Sequence, residues 1–237
     1  MQPTVITILF LCILTAILFT VFSFKKNLIY LYTKTFSSVL FTALGLVCLY
    51  YFIKNGWNKI SDNQLIGSFL LLFGLVLCLV GDIILGMPRL SELRRDTLPV
   101  IVGGAAWFTL GHITYCIALI FLLGISPWVL CFIIPMALFY TYGNKLFGKL
   151  DYKKLTAGVL IYSLLESLSF ALCATALIFN FSISALLLTI GFTLFYFSDM
   201  VLMHNYFGEK KRYISVLCHA TYYPAQIIIA LSILFIV

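Results

Sequence analysis

Residues 65–87 read LIGSFLLLFGLVLCLVGDIILGM, an apolar stretch whose single charge is Asp82. At a rise of ~1.5 Å per residue, a helix of this length crosses the ~30 Å hydrocarbon core of a bilayer. Ionisable groups are unfavourable in hydrocarbon and usually have a functional reason to be there. The stretch therefore predicts a membrane-spanning helix with a functional carboxylate near its end.

The whole chain shares the composition of this stretch. Of its 237 residues, 63% are hydrophobic and 10% are charged, and the mean hydropathy is +1.11. Continuous apolar runs favour helices over a transmembrane barrel, whose strands alternate. The net charge of +7 reflects basic residues that flank membrane helices rather than nucleic-acid binding. We therefore predict an all-α, polytopic membrane protein with one integral membrane domain, residues 1–237.

Eight spans are predicted, and the basic residues between them set their orientation. The spans are residues 4–24, 36–53, 65–87, 98–123, 127–143, 155–179, 183–207 and 213–236. Of the 15 lysines and arginines, all but Lys54 and Lys59 lie in loops 1, 3, 5 and 7. By the positive-inside rule these loops are cytoplasmic, so both termini lie on the non-cytoplasmic side.

One short pattern occurs in both halves of the chain. The sequence GDIIL at 81–85 in span 3 is matched by SDMVL at 198–202 in span 7, and the following spans carry HITY at 112–115 and HATY at 219–222. Both aspartates lie on inward-running spans, and both histidines lie on outward-running spans. The pattern predicts one site, near the cytoplasmic side, to which both halves contribute.

The matched orientation also predicts a parallel internal duplication. Its repeat halves are residues 1–124, with spans 1–4, and 125–237, with spans 5–8. The halves are not equivalent in spacing, because His112 follows Asp82 by 30 residues and His219 follows Asp199 by 20.

Asp82 and Asp199 are the expected catalytic pair. Two buried carboxyls that face each other repel when both are ionised, so one holds a proton while the other stays ionised. The first can then donate a proton and the second can accept one, a division of labour used to cleave bonds at oxygen-bearing carbons. For either residue alone, a structural hydrogen bond near the interface is the alternative.

Further polar residues on spans 4, 6 and 8 are expected to line the same cavity, because a polar stripe that faces lipid is unfavourable. These residues are His112, Tyr115, Glu166, His219, Tyr222 and Gln226. Hydrogen bonding between helices explains each tyrosine equally well, and Glu166 has no counterpart in the repeat.

Two cations and a metal complete the candidate list. Lys34 and Arg89 are candidates for contacting a phosphate headgroup, with an interfacial, snorkelling location as the alternative. Two aspartates and two histidines would also suit a metal ion, but no local ligand spacing supports one. We therefore predict neither a metal nor an organic cofactor.

The chain resembles the YhhN-like lysoplasmalogenases. The resemblance rests on GDIIL at 81–85, HITY at 112–115, FSDMVL at 197–202 and TYYPAQ at 221–226, in this order across eight spans. It implies a lysophospholipid substrate whose vinyl ether bond is hydrolysed, giving a fatty aldehyde and glycerophosphocholine or glycerophosphoethanolamine. It also implies Asp82 and Asp199 as the catalytic acids, with His112, Tyr115, Tyr222 and Gln226 around them.

Two positions depart from the family pattern. Thr35 stands where a proline often follows the lysine that opens span 2, and Glu166 stands where an apolar residue is expected. These departures bear on the headgroup contacts and on substrate choice more than on the reaction.

Other classes of membrane protein share some of these features. A proton-coupled transporter of a small molecule or lipid also has parallel repeats with buried acids. An intramembrane aspartyl protease fits less well, because residues 79–81 read LVG where those proteases carry Gly-x-Gly, and Ser198 replaces a tyrosine. A non-catalytic receptor or scaffold leaves the polar faces of spans 4 and 8 unexplained.

Overall fold

The chain folds into a bundle of helices in the computed structural model, which describes residues 2–22, 28–56, 59–87, 98–152, 155–208 and 211–236. Within those ranges the regular structure is entirely helical. Eight of the helical segments are long and apolar enough to cross a membrane. The predicted all-α fold with eight spans is therefore confirmed.

The helices are named here in chain order. They are α1 (Pro3–Phe22), α2 (Leu28–Gly56), α3 (Asp62–Gly86), α4 (Leu98–Leu123), α5 (Val129–Leu138), α6 (Asn144–Gly148), α7 (Thr156–Phe179), α8 (Ile183–Phe207) and α9 (Arg212–Ser232). A π-helical segment, Phe139–Gly143, joins α5 to α6, and a 3₁₀ turn, Ile233–Phe235, follows α9. The fifth span consists of α5, the π-helical segment and the start of α6.

Helix α2 is longer than the sequence predicts. The predicted span begins at residue 36, whereas the helix begins at Leu28. The charge of Lys34 places the start of the hydropathy run after it, yet the structure buries this side chain, which is 5% exposed. The cation is tolerated inside the bundle because a carboxylate neutralises it, so the helix extends past it.

Local signals explain where two of the site-bearing helices start. Ser61 caps α3 with a capping box: its side chain accepts a hydrogen bond from the Gln64 backbone N–H, and the Gln64 side chain accepts one from the Ser61 N–H. Ser182 caps α8 by accepting a hydrogen bond from the Ala185 N–H at 3.0 Å. Each cap satisfies backbone donors that a helix start leaves without a partner.

The helices have the same neighbours in both halves of the chain. The most extensive pairings are α3 with α4 and α8 with α9, and α2 lies beside α3 as α7 lies beside α8. Across the halves, α4 packs on α7 and α9 packs on α2. These two cross-half contacts bring the last span of each half against the aspartate-bearing region of the other.

Glycines let α3 and α4 approach closely beside Asp82. A Cβ atom added at Gly81 would lie 2.7 Å from ring carbons of Phe108, and one added at Gly74 would overlap the ring of Tyr115. A side chain at either position would push α4 away. The two glycines therefore fix the register in which α4 presents its polar face to the bundle interior.

Candidate active site

Asp82 lies in a cluster of donors on α2, α3 and α9. Its Oδ1 is 3.0 Å from the Lys34 Nζ, and its Oδ2 accepts hydrogen bonds from the hydroxyls of Ser38 (2.6 Å) and Tyr222 (2.8 Å). The carboxyl is 1% exposed. One cation and two hydroxyl donors are the partners that stabilise the charged form of a carboxylate.

Asp199 has a different set of neighbours. The phenol of Tyr162 donates a hydrogen bond to its Oδ2. A carboxylate oxygen of Glu166 and a ring nitrogen of His112 each lie within 4.8 Å of an Asp199 carboxylate oxygen. All four side chains are buried. Asp199 thus faces a second acid, a phenol and an imidazole, whereas Asp82 faces a cation.

His112 and Glu166 form the outer part of this second cluster. The His112 Nε2 is 3.2 Å from the Glu166 Oε1, although the angle is not that of a hydrogen bond. Histidine, glutamate and aspartate are residue types that ligate divalent cations, and these three are the group within the described ranges whose atoms converge closely enough to do so. The same three groups can equally pass a proton between them.

An aromatic wall separates the two aspartate centres. The ring of Phe195 contacts His112, which belongs to the Asp199 centre, and Tyr222, which belongs to the Asp82 centre, with centroid distances of 4.6 and 5.5 Å. Phe108 packs on Tyr222 at 6.0 Å. Phe195 is therefore a wall that the two centres share, while the hydrogen-bond partners of the two carboxyls are separate.

The two centres have the same geometric plan. Each aspartate is approached by two residues four positions apart on the preceding span of its own half, and by one residue on the last span of the other half. Around Asp82 these residues are Lys34, Ser38 and Tyr222, and around Asp199 they are Tyr162, Glu166 and His112. We call residues in matching places counterparts.

This plan corrects the register of the sequence repeat. Gly81 precedes Asp82 and packs on Phe108, whereas Ser198 precedes Asp199 and bonds to the Cys218 carbonyl. Phe108 and Cys218 are therefore counterparts, so four residues further on His112 matches Tyr222 rather than His219. The repeated His-x-Thr-Tyr is out of step in space because helix contacts, rather than sequence identity, set the packing register.

Asp199 lies at the inner end of an apolar cavity of about 260 Å³. The cavity is bounded by α4, α7 and α8, with one residue from α3. Its polar groups include the Asp199 carboxyl and the phenol of Tyr162, and most of the remaining wall is aliphatic or aromatic. An apolar pocket with a few converging polar groups is the usual form of a small-molecule site, and this one suits a hydrocarbon chain.

The remaining candidates lie beside the centres. Tyr115 donates a hydrogen bond of 3.1 Å to the Gln226 Oε1, which joins α4 to α9 across the halves. His219 has its Nε2 3.3 Å from the Tyr30 hydroxyl and its ring against Phe19, with a centroid distance of 4.8 Å. Sequence reasoning placed all of these in one cavity, whereas the structure gives the first pair a bridging position and His219 a third cluster.

The two headgroup candidates have different outcomes. Lys34 is buried against Asp82 instead of lying at the interface, so its charge is already neutralised inside the bundle. Arg89 lies outside the described residues.

Two residues of the centres were missing from the sequence-derived set. Ser38 lies four residues after Lys34, and Tyr162 lies four residues before Glu166. Each therefore shares a helical face with an ionisable residue that the sequence singles out, Ser38 with Lys34 and Tyr162 with Glu166. The spacing of four residues is the sequence signal for Ser38 and Tyr162. It identifies them as site residues only when the helical face is known to point at an aspartate.

Comparison with known proteins identifies one family. The model of the YhhN family matches residues 30–233, a range that contains both aspartate centres and all the walls of the cavity. No curated protein and no solved structure matches the chain significantly.

Proposed function

The chain belongs to the YhhN family, and on that basis we propose that it hydrolyses the vinyl ether bond of lysoplasmalogens. The products are a fatty aldehyde and glycerophosphocholine or glycerophosphoethanolamine. The observation that carries this proposal is the position of Asp199, a buried carboxyl at the inner end of an apolar cavity. Such a cavity holds the alkenyl chain while the acid reaches the bond that joins it to glycerol.

The chemistry of a vinyl ether calls for an acid placed in this way. Hydrolysis begins when the β carbon of the alkenyl group takes a proton, and the resulting oxocarbenium ion then adds water at the carbon bonded to oxygen. The hemiacetal collapses to the aldehyde and releases the glycerol hydroxyl, so one water is consumed. A buried acid favours the first step because little water competes for the proton.

Asp199 is the proton donor in this proposal. If Asp199 and Glu166 were both ionised within 4.8 Å, their repulsion would be about 3.5 kcal/mol at an effective dielectric constant of ~20. The pair therefore shares a proton, and in this proposal Asp199 delivers it because its carboxyl lines the cavity. After transfer, the hydrogen bond from Tyr162 stabilises the new Asp199 carboxylate.

Asp82 supplies the second charge. Lys34, Ser38 and Tyr222 are partners that suit a carboxylate anion, and the ring of Phe195 contacts both this centre and the Asp199 centre. A fixed negative charge near the reacting carbons stabilises the positive charge that develops on the oxocarbenium ion. The Asp199 carboxylate then accepts a proton from the attacking water and gives it to the leaving oxygen. As the hemiacetal collapses to the aldehyde, Asp199 takes the proton of its hydroxyl, so the acid is regenerated.

The test is an assay of purified protein with a lysoplasmalogen, with released fatty aldehyde as the readout. The matched controls are an ester lysolipid and a lysolipid with a saturated ether, which share chain and headgroup but lack the vinyl ether. We expect aldehyde from the first substrate alone. Cleavage of the ester, or transport of lysoplasmalogen across proteoliposomes without chemical change, would contradict the proposal.

A chelator arm separates acid catalysis from a metal-dependent reaction at the same residues. His112, Glu166 and Asp199 are placed to ligate a cation, whereas the proposed mechanism uses them for proton transfer. We expect turnover to survive prolonged incubation with EDTA. Loss of turnover that added zinc or manganese restores would instead assign the three residues to a metal centre.

A further inference from the structure

Helices α4 and α7 touch within the bundle and separate towards their N-terminal ends. Where they touch, the Cys116 thiol is 3.4 Å from the Leu165 carbonyl and 3.2 Å from the Ser169 hydroxyl. Nearer the N-terminal ends the two helices form opposite walls of the cavity, α4 with residues 101–109 and α7 with residues 155–162. The cavity is therefore a gap between two helices that narrows inward.

This gap reaches the outer face of the bundle. Val102 on the α4 wall is 45% exposed, and Ala105, Ala106 and Gly158 on the walls are also exposed. A bundle face formed by such residues at this level lies against lipid tails. Gly158 faces open space, because a Cβ atom added there would have no heavy atom within 4 Å.

The corresponding space between α2 and α9, the other interface between the halves, is filled by side chains. The counterparts of Gly158 and Thr109, four and three residues before Tyr162 and His112, are Tyr30 and His219, and these side chains approach each other to 3.3 Å. Phe19 from α1 covers them, with ring distances of 5.1 and 4.8 Å. Helix α1 packs on both α2 and α9, whereas among the described residues α5, in the matching place, packs mainly on α7 and the adjoining π-helical segment.

We infer that the gap between α4 and α7 is the lateral entrance through which the single hydrocarbon chain of a lysolipid passes from the bilayer to Asp199. Gly158 is the residue that keeps this entrance open. The inference rests on the proposed function for the identity of the lipid. It goes further by assigning the entrance to one of the two interfaces between the halves, α4 with α7, and by giving His219 a sealing position in the other, α2 with α9.

The polar end of such a lipid has a place at the mouth of the gap. The Tyr152 ring contacts the cavity-lining Phe207 at 5.2 Å, so Tyr152, which follows α6, lies beside the entrance. Lys145 and Lys149, in and directly after α6, are exposed. Their charges suit a phosphate, whereas the cavity walls suit a chain, which is the order of groups in a one-chain phospholipid.

The first test fills the entrance. Gly158→Phe places a ring in the gap, and Ala157→Phe adds the same ring one position along α7, where the side chain is exposed and does not line the cavity. If the ring displaces two or three methylenes of the chain, kcat/KM for a long-chain lysoplasmalogen falls roughly 15- to 60-fold. We expect this loss for Gly158→Phe and not for Ala157→Phe, and a smaller loss for Gly158→Phe with a short-chain, water-soluble vinyl ether substrate.

The second test does not depend on hydrolysis. A saturated ether lysolipid with a diazirine along its chain is reconstituted with the wild-type protein, irradiated, and its adducts are located by peptide mass spectrometry. Adducts on α4 and α7 near residues 101–109 and 155–162, removed by Gly158→Phe, support the entrance even if no cleavage is ever observed. Adducts on α1 and α9, or equal activity of Gly158→Phe and Ala157→Phe on the long chain, would overturn it.

Discussion

The Asp82 centre and the Asp199 centre share a plan and differ in chemistry. Asp82 receives a cation and two hydroxyls, and α1 seals the gap beside it. Asp199 receives a phenol, a second acid and an imidazole, and the gap beside it is an apolar cavity. Matched positions thus give one carboxyl a cation and the other a second acid as its partner. In the proposed mechanism these neighbours, rather than the aspartates themselves, set the two roles.

The largest expected effect separates the centres by activity. Asp199→Asn removes the proton donor, and general acid catalysis contributes roughly 100- to 10,000-fold. We expect aldehyde release to fall within that range while thermal stability in detergent is preserved, because an amide still accepts the hydrogen bond from Tyr162 and no longer opposes Glu166. A variant with nearly wild-type kcat would remove Asp199 from the reaction.

The second-largest expected effect distinguishes the Asp82 centre from the Asp199 centre by the stability of their asparagine variants. Asp82→Asn leaves Lys34 as a buried charge without its carboxylate, which costs roughly 3–5 kcal/mol. We therefore expect Asp82→Asn to lower both turnover and the melting temperature, whereas Asp199→Asn lowers turnover alone. The double variant Lys34→Met/Asp82→Asn should recover most of the lost stability without recovering turnover. Equal melting temperatures for the two single asparagine variants would mean that the ion pair is not stabilising.

A smaller effect tests the second acid. Glu166→Gln keeps the shape of the side chain but removes the second carboxyl that shares a proton with Asp199. We expect turnover to fall by about tenfold, less than for Asp199→Asn because the donor remains, with unchanged or raised stability. Glu166→Asp serves as the charge-retaining control and should keep more turnover than Glu166→Gln. The reverse order would make Glu166 a bystander.

The smallest effect lies outside both centres. Tyr115→Phe removes the hydrogen bond to Gln226, and such bonds between membrane helices contribute about 0.6 kcal/mol on average. We expect a slight fall in melting temperature with turnover retained, measured on the same preparations as the aspartate variants. A large loss of turnover would place this pair inside the catalytic site.

The sequence predicts the eight spans and marks Asp82 and Asp199 as buried charges within them. The physical reason is the same in each case. Eight long apolar runs favour a bundle of membrane helices over other folds, because a chain in lipid must satisfy its backbone hydrogen bonds within helices. The charges of Asp82 and Asp199 stand out in those runs for the same reason. Predictions about single residues in hydrocarbon are strong because the environment is uniform.

The sequence predicts the partners less well, because partners depend on helix packing. The sequence predicts an interfacial Lys34, whereas in the structure α2 begins before it and its side chain lies against Asp82. The repeated motif predicts that His219 is equivalent to His112. In the structure the α8–α9 contact sets a different register, and Tyr222 is the residue that matches His112. The cavity could not be foreseen at all, since it arises from the divergence of α4 and α7 rather than from any motif.

The most direct measurement of the central claim follows the proton itself. Purified protein is given a lysoplasmalogen in D₂O, and the aldehyde is reduced at once and analysed by mass spectrometry. If Asp199 protonates the β carbon, the product carries one deuterium on the carbon next to the former carbonyl, and Asp199→Asn releases almost none of it. Aldehyde released without that deuterium, or undiminished labelled release by Asp199→Asn, would contradict the account.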